Sequence, residues 1–195
     1  MIREKYLNRI KYKGHNMPCP EVLNALQRSH LYQVPFENLD IHYNKTITLD
    51  VDLLYQKIVE NHRGGFCYEL NGLFFELLIS LGFNAKRISA RVFDQEKGYG
   101  PEFDHLAILV DIQGNLYLTD VGFGEFSMRP LLLELNLVQQ DVTGEYMIDK
   151  YDDSCYRVIR RIQGLWVPQY IFTGTERELR DFSAMCEYHQ TSSDS

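Results

Sequence analysis

The apolar residues of this chain change period at Gly82, and that change decides which parts can be helix and which can be sheet. Phe66, Leu70, Leu73, Phe74, Leu77, Leu78 and Leu81 recur at helical spacing, and Gly82 is a natural C-terminal stop. Beyond it, residues 83–93, 105–112 and 116–121 are rich in β-branched and aromatic side chains at strand length. Residues 154–162 and 166–173 read the same way around a Gln163-Gly164 turn. Ahead of Phe66 a short amphipathic helix is expected over about residues 2–10, and a second over about 21–33 with Pro20 at its first position. A third helix is capped by Asp50 and has Val51, Leu54, Ile58 and Val59 on its apolar face. Residues 176–189 read helical again, and 191–195 as a mobile tail. The expected class is α+β, with a helical part followed by an antiparallel sheet.

The reactive side chain of the central helix is Cys67, within Arg63-Gly64-Gly65-Phe66-Cys67-Tyr68-Glu69-Leu70-Asn71. In the first helical turn, unpaired N–H groups and the helix dipole favour an anion, so a lowered thiol pKa is expected there. The plainer reading is a buried, inert cysteine, a common fate for this residue type. His105 and Asp120 are its candidate partners. If Ile112 pairs with Asn115 across a two-residue Gln113-Gly114 turn, Ala107 lies opposite Asp120 and His105 is the diagonal neighbour on the same face. A slip of one residue would separate them. Otherwise they read as a satisfied strand histidine and a strand-end carboxylate. Together the three side chains suit nucleophilic catalysis, with His105 taking the thiol proton and Asp120 holding the imidazole. Zinc is a poor competing use, because Cys186-Glu187-Tyr188-His189 has no matching second ligand pair. Histidines 15, 30, 42 and 62 have no evident partners and read as surface residues.

Composition narrows the class further. A net charge of −7 argues against nucleic acid as a general partner, and no run is long and apolar enough for a transmembrane helix. Met1-Ile2-Arg3-Glu4-Lys5 has no apolar signal core. Four cysteines, at positions 19, 67, 155 and 186, are too scattered for a disulfide scaffold and suggest reduced thiols in the cytoplasm, with Cys67 the only strongly activated one.

Val34-Pro35-Phe36-Glu37-Asn38-Leu39, Arg63-Gly64-Gly65-Phe66-Cys67 with Glu69 and Asn71, His105-Leu106, and Asp120-Val121-Gly122-Phe123-Gly124 together resemble the arylamine N-acetyltransferases, in family order and spacing over about 160 residues. The resemblance implies a Cys67–His105–Asp120 triad arranged as in cysteine proteases, acetyl-coenzyme A as donor, no metal, and an acetyl-cysteine passed to an aromatic amine, hydrazine or hydroxylamine. It implies a helical domain over 1–83, an antiparallel β-barrel domain over 84–174, and over 175–195 an interdomain helix that begins an α/β lid, most of which lies beyond this sequence. Phe36, Phe93, Phe123 and Phe126 are the expected acceptor walls, each also open to a plain core role. Backbone amides of Gly122 and Gly124, with Arg129, are the expected coenzyme contacts. Two other classes stay open: a thiol hydrolase or amide synthase using the same triad, and a non-catalytic protein with an incomplete cleft.

Overall fold

The computed structural model describes residues 2–192, and its elements follow the change of period. Four helices precede the cysteine loop: α1 (Arg3–Arg9), α2 (Pro20–Gln33), α3 (Leu39–His42) and α4 (Val51–Tyr55), the last running on as a π-helical stretch, Gln56–Glu60. Pro20 stands in the first turn of α2, where its missing N–H costs nothing. The Asp50 carboxylate accepts the N–H groups of Asp52 and Leu53 to cap α4, as its position in the sequence implies. Then comes α5 (Cys67–Ser80), which ends at Leu81 and Gly82, the glycine in the left-handed region at φ +86°. The α5 side chains are buried almost all round, with Leu70, Leu73, Phe74, Leu77 and Leu78 in the helical core.

The sheet comprises β1 (Asn84–Asp94), β2 (Gly98–Tyr99), β3 (His105–Ile112), β4 (Asn115–Thr119), β5 (Leu131–Leu132), β6 (Gln139–Asp141), β7 (Gly144–Lys150), β8 (Tyr156–Ile162) and β9 (Leu165–Phe172). Its antiparallel order, β5-β4-β3-β1-β9-β8-β7-β6 with β2 beside β1, curls into a nearly closed barrel. The Gln139 side chain meets both the N–H and the carbonyl of Leu132, joining the two end strands without a ladder. Strand β7 lies in a stretch from which no strand was expected. Its polar Glu145, Asp149 and Lys150 conceal an alternation whose inward members, Tyr146 and Ile148, are fully buried.

Strand β3 is buried on both faces. Leu106, Ile108, Val110 and Ile112 pack in the core around α5, while Ala107 and Leu109 join the barrel core with Ile88, Tyr170 and Phe172. The chain then returns to the helices. Where one helix was expected from 176 to 189, a 3₁₀ turn, Leu179–Phe182, leads into α6 (Ser183–Thr191), and Arg177 bridges to Arg87 instead. Leu179, Phe182 and Cys186 are packed into the core around α5. The expected mobile tail falls partly on α6, which includes Thr191, while residues 193–195 lie outside the described residues. Among the described residues no helix is long and apolar enough to cross a membrane.

One of the four histidines read as surface residues is fully buried. His30 lies on the face of α2 with Val22, Leu23, Leu26 and Gln27, its Nδ1 3.2 Å from the Tyr6 hydroxyl and its ring edge-on to Phe74. Its place four residues after Leu26 on that stripe was the available signal.

Candidate active site

The loop ahead of Cys67 is built by charge pairing and close backbone approach. The Arg63 guanidinium bonds Glu37 at 2.8 Å and Asp40 at 2.9 Å, while the Lys57 ammonium bridges Asp40 and Glu69, each at 2.8 Å. Glu69 also accepts the Phe66 N–H at 3.1 Å, capping α5 from its third position. Burial pushes the Glu69 carboxyl above its usual range, with Lys57 opposing; at Asp40 burial is outweighed by Lys57 and Arg63, which hold that carboxyl below it. Arg9 completes the frame by donating to the carbonyls of Gln33, Ile58, His62 and Arg63. Gly64 is required by proximity, because a Cβ there would stand 2.0 Å from the Pro35 carbonyl oxygen. The Pro35 segment therefore pairs with this loop, through a Phe36–Gly65 bridge and a Glu37 N–H to Gly65 carbonyl bond of 2.9 Å.

His105 and Asp120 are brought together by the hairpin register the turn implies. Ile112 pairs with Asn115 and Ile108 with Thr119, and Gln113 and Gly114 both have positive φ, as a type I′ turn requires. His105 Nε2 lies 2.7 Å from Asp120 Oδ2. Asp120 is fully enclosed and receives three further donors: Asn71 Nδ2 at 2.8 Å, the Gly122 N–H at 2.9 Å and the Tyr170 hydroxyl at 3.2 Å. Asn71 also donates to the Leu106 carbonyl and accepts the Val121 N–H, so one amide ties α5 to β3 and to the segment that follows β4. Tyr170 was missed by sequence reading. It comes from β9, some fifty residues downstream of Asp120, and no local pattern connects them.

Gly122 brings the turn after β4 against the start of α5; a Cβ on it would lie 2.8 Å from Cys67 Cα. Cys67 and His105 line one cavity of about 570 Å³, with Phe36, Phe66, Gly122 and Phe123 on its walls. His42, also read as a surface residue, is exposed and borders it too. Of the other aromatic candidates, Phe93 packs against Tyr99, and Phe126 is buried in the barrel core against Tyr146. Neither is among the residues that line the cavity. Gly124 is an exposed turn residue at φ +89°, and Arg129 opens onto a separate groove with Asn24 and Arg28.

The Cys67 thiol departs from expectation. Burial pushes its pKa well above the ordinary cysteine value, and the negative charge of Asp120 adds to the rise, against the opposing N–H groups of Tyr68 and Leu106. The helix start by itself does not outweigh desolvation at a thiol packed against the helical core. Burial also raises the Cys186 thiol, to about 12. All four cysteines are free thiols, and among the described residues no group of three or more His, Cys, Asp or Glu side chains is placed to hold a metal ion.

Comparison with known proteins gives this geometry its context. The family model described as N-acetyltransferase matches residues 21–195. The chain is 34% identical over 168 residues to the arylamine N-acetyltransferase / N-hydroxyarylamine O-acetyltransferase of Salmonella typhimurium, covering 86% of this chain and 59% of that protein. It is 34% identical over 192 residues to the Mycolicibacterium smegmatis arylamine N-acetyltransferase, covering 95% of this chain and 70% of the relative. The fold superposes on that of the Mycobacterium marinum arylamine N-acetyltransferase in complex with CoA at a TM-score of 0.91 with 30% identity, over 98% of this chain and 72% of the other. The chain thus spans under two thirds of the Salmonella relative's length, and it belongs to the arylamine N-acetyltransferase family.

Proposed function

We propose that the protein transfers an acetyl group from acetyl-coenzyme A to an aromatic amine, hydrazine or hydroxylamine through a thioester on Cys67. The observation that carries the reading is that Cys67 and His105 face one cavity while Asp120 holds His105 from behind through Nε2. Nδ1 is then the ring nitrogen available to the thiol proton. Because burial opposes an isolated thiolate here, activation comes by proton transfer within the pair: Nδ1 takes the proton as sulfur attacks the acetyl carbonyl, and Asp120 stabilises the imidazolium that forms. The coenzyme leaves as its thiol, taking that proton. In the second half the amine nitrogen attacks the acetyl-cysteine carbonyl and the C–S bond breaks. The amine's proton passes through His105, and the thiol is restored.

Phe36 and Phe123 suit a flat aryl ring, since stacking supplies affinity without a fixed polar partner. We place the coenzyme phosphates at the Gly122 to Gly124 turn; Arg129 faces a different groove and would engage only a group that reaches across. The route requires no metal. We read residues 1–83 as the unit that carries the nucleophile, 84–174 as the unit that carries His105 and Asp120, and 175–195 as an interdomain helix that begins a lid.

The test is intact-protein mass after incubation with acetyl-coenzyme A, with and without an aryl hydrazine. The expected result is one acetyl adduct, absent in Cys67→Ala and discharged to acetylated hydrazine when the hydrazine is added. Coenzyme release with no amine product would replace this reading with hydrolysis, and no adduct and no release would leave a binding protein.

A further inference from the structure

The cavity that holds Cys67 contains a second imidazole–carboxylate pair for which the acetyl-transfer scheme has no use. His189 Nε2 lies 3.2 Å from Asp104 Oδ1, and both residues line the cavity. Asp104 immediately precedes β3, and its other oxygen accepts the Val92 N–H at 3.3 Å. His189 reaches in from α6, its ring packed against Tyr68 and Tyr188. The Asp104 side chain is 16% exposed and that of His189 24%, so the pair is reachable from the cavity but shielded from bulk water. Among the described lining residues Asp104 is the one carboxylate, and there is no Lys or Arg. The other titratable side chains on the lining are His42, Cys67 and His105.

We propose that Asp104, oriented by His189, determines acceptor specificity, selecting aromatic amines or hydrazines whose ring bears a cationic or hydrogen-bond-donating substituent and rejecting those that bear a carboxylate. The proposal rests on the acetyl-transfer reading only in calling the ligand an acceptor. Carboxylate oxygens accept and never donate, so a ring cation or hydroxyl has a partner at Asp104. A ring carboxylate would be desolvated beside a like charge, with no guanidinium or ammonium among the described lining residues to offset it and with the His189 imidazole already engaged at Asp104. Rejection by an uncompensated group of this kind discriminates more sharply than a change in apolar fit. Phe36 and Phe123 hold the ring in either case, so the substituent decides.

The experiment is calorimetric titration of the full chain, without acetyl-coenzyme A and at about pH 7.5, with two anilines of similar shape, 4-(aminomethyl)aniline as the cation and 4-aminobenzoate as the anion. The wild-type protein is expected to bind the cation at least about tenfold more tightly, and Asp104→Asn to bring the two within about threefold of each other. His189→Gln, which leaves the carboxylate but loosens its orientation, is expected to fall between them and serves as the second variant if Asp104→Asn fails to fold. Equal affinities, a preference for aminobenzoate, no measurable binding of either ligand, or an unchanged ratio in the variants would overturn the proposal. Acetylation of Cys67 is scored separately. Failure to acetylate with the affinity ratio intact removes the transfer reading and not this one, whereas normal acetylation with no ratio removes this one alone.

Discussion

His105–Asp120 and His189–Asp104 are the same two side chains in opposite settings. The first pair is 3% and 0% exposed at its side chains and draws donors from α5, from the turn after β4 and from β9; the second is 24% and 16% exposed and joins one loop to one helix. A carboxylate without water must have every lone pair answered, so Asp120 is fixed by its neighbours far more rigidly than Asp104. Rigidity suits a group that must hold one ring nitrogen through a proton transfer, and partial exposure suits a group that meets substituents of different shape.

Neutralising each carboxylate in turn should produce the largest contrast. Asp120→Asn is expected to slow acetylation of Cys67 by about 10⁴-fold, since an amide cannot stabilise imidazolium and favours the wrong tautomer. Asp104→Asn should slow that same acetylation by less than about tenfold. Single-turnover mass measurements decide it, and comparable losses would mean that the two pairs do not divide the work in this way.

The anchoring of the deep pair can be broken without touching it. Asn71→Ala removes three buried hydrogen bonds and leaves Asp120 Oδ1, the Leu106 carbonyl and the Val121 N–H short of a partner. A loss of about 3 kcal/mol is expected from urea unfolding, against less than about 1 kcal/mol for Asp104→Asn. A neutral Asn71→Ala would show that the deep network is slack.

Smaller again, Gly122→Ala should cost about 100-fold in acetylation, because the added Cβ, 2.8 Å from Cys67 Cα, must displace the nucleophile relative to His105. The fold should survive, since the turn itself is intact. Wild-type rates in this variant would mean that the contact between turn and helix does not set the sulfur position.

His30 extends the comparison to an imidazole buried with no carboxylate beside it. Burial lowers its pKa to about 3, with Arg9 adding to the effect. Between the unfolded value near 6.5 and about 3 the unfolded chain binds a proton that the native state refuses. Stability is therefore complete above about pH 6.5 and falls with acid by up to about 1.4 kcal/mol per pH unit. His30→Leu should flatten that limb in urea midpoints measured against pH; an unchanged slope would locate the acid sensitivity elsewhere.

Much of the architecture was legible because it is written in local periods. The start of α2 at Pro20, the Asp50 cap of α4, the end of α5 at Gly82 and the hairpin between β3 and β4 each follow from a few adjacent residues whose backbone options are narrow. Strand β7 was hidden because Glu145 and Asp149 on its outward face, with Lys150 at its exposed end, dilute the apolar signal. His30 was misread because a histidine with no evident partner in the sequence looks like a surface residue until the stripe it lies on has something to pack against.

The sequence by itself determined where helices stop and strands begin, which cysteine heads a helix, and the register that sets His105 beside Asp120, because each depends on neighbours within about twenty residues. Only the tertiary structure decided the rest. Tyr170 reaches Asp120 from β9, His189 reaches Asp104 from α6, and Phe126 and Phe93 are withdrawn from the cavity that Phe36 and Phe123 line. The same holds for the thiol: the helix start at Cys67 is local and favours an anion, but the desolvation that opposes it comes from the helical core packed against the side chain, and the charge of Asp120 adds to it. Burial is a property of everything packed around a residue, and no stretch of chain encodes it alone.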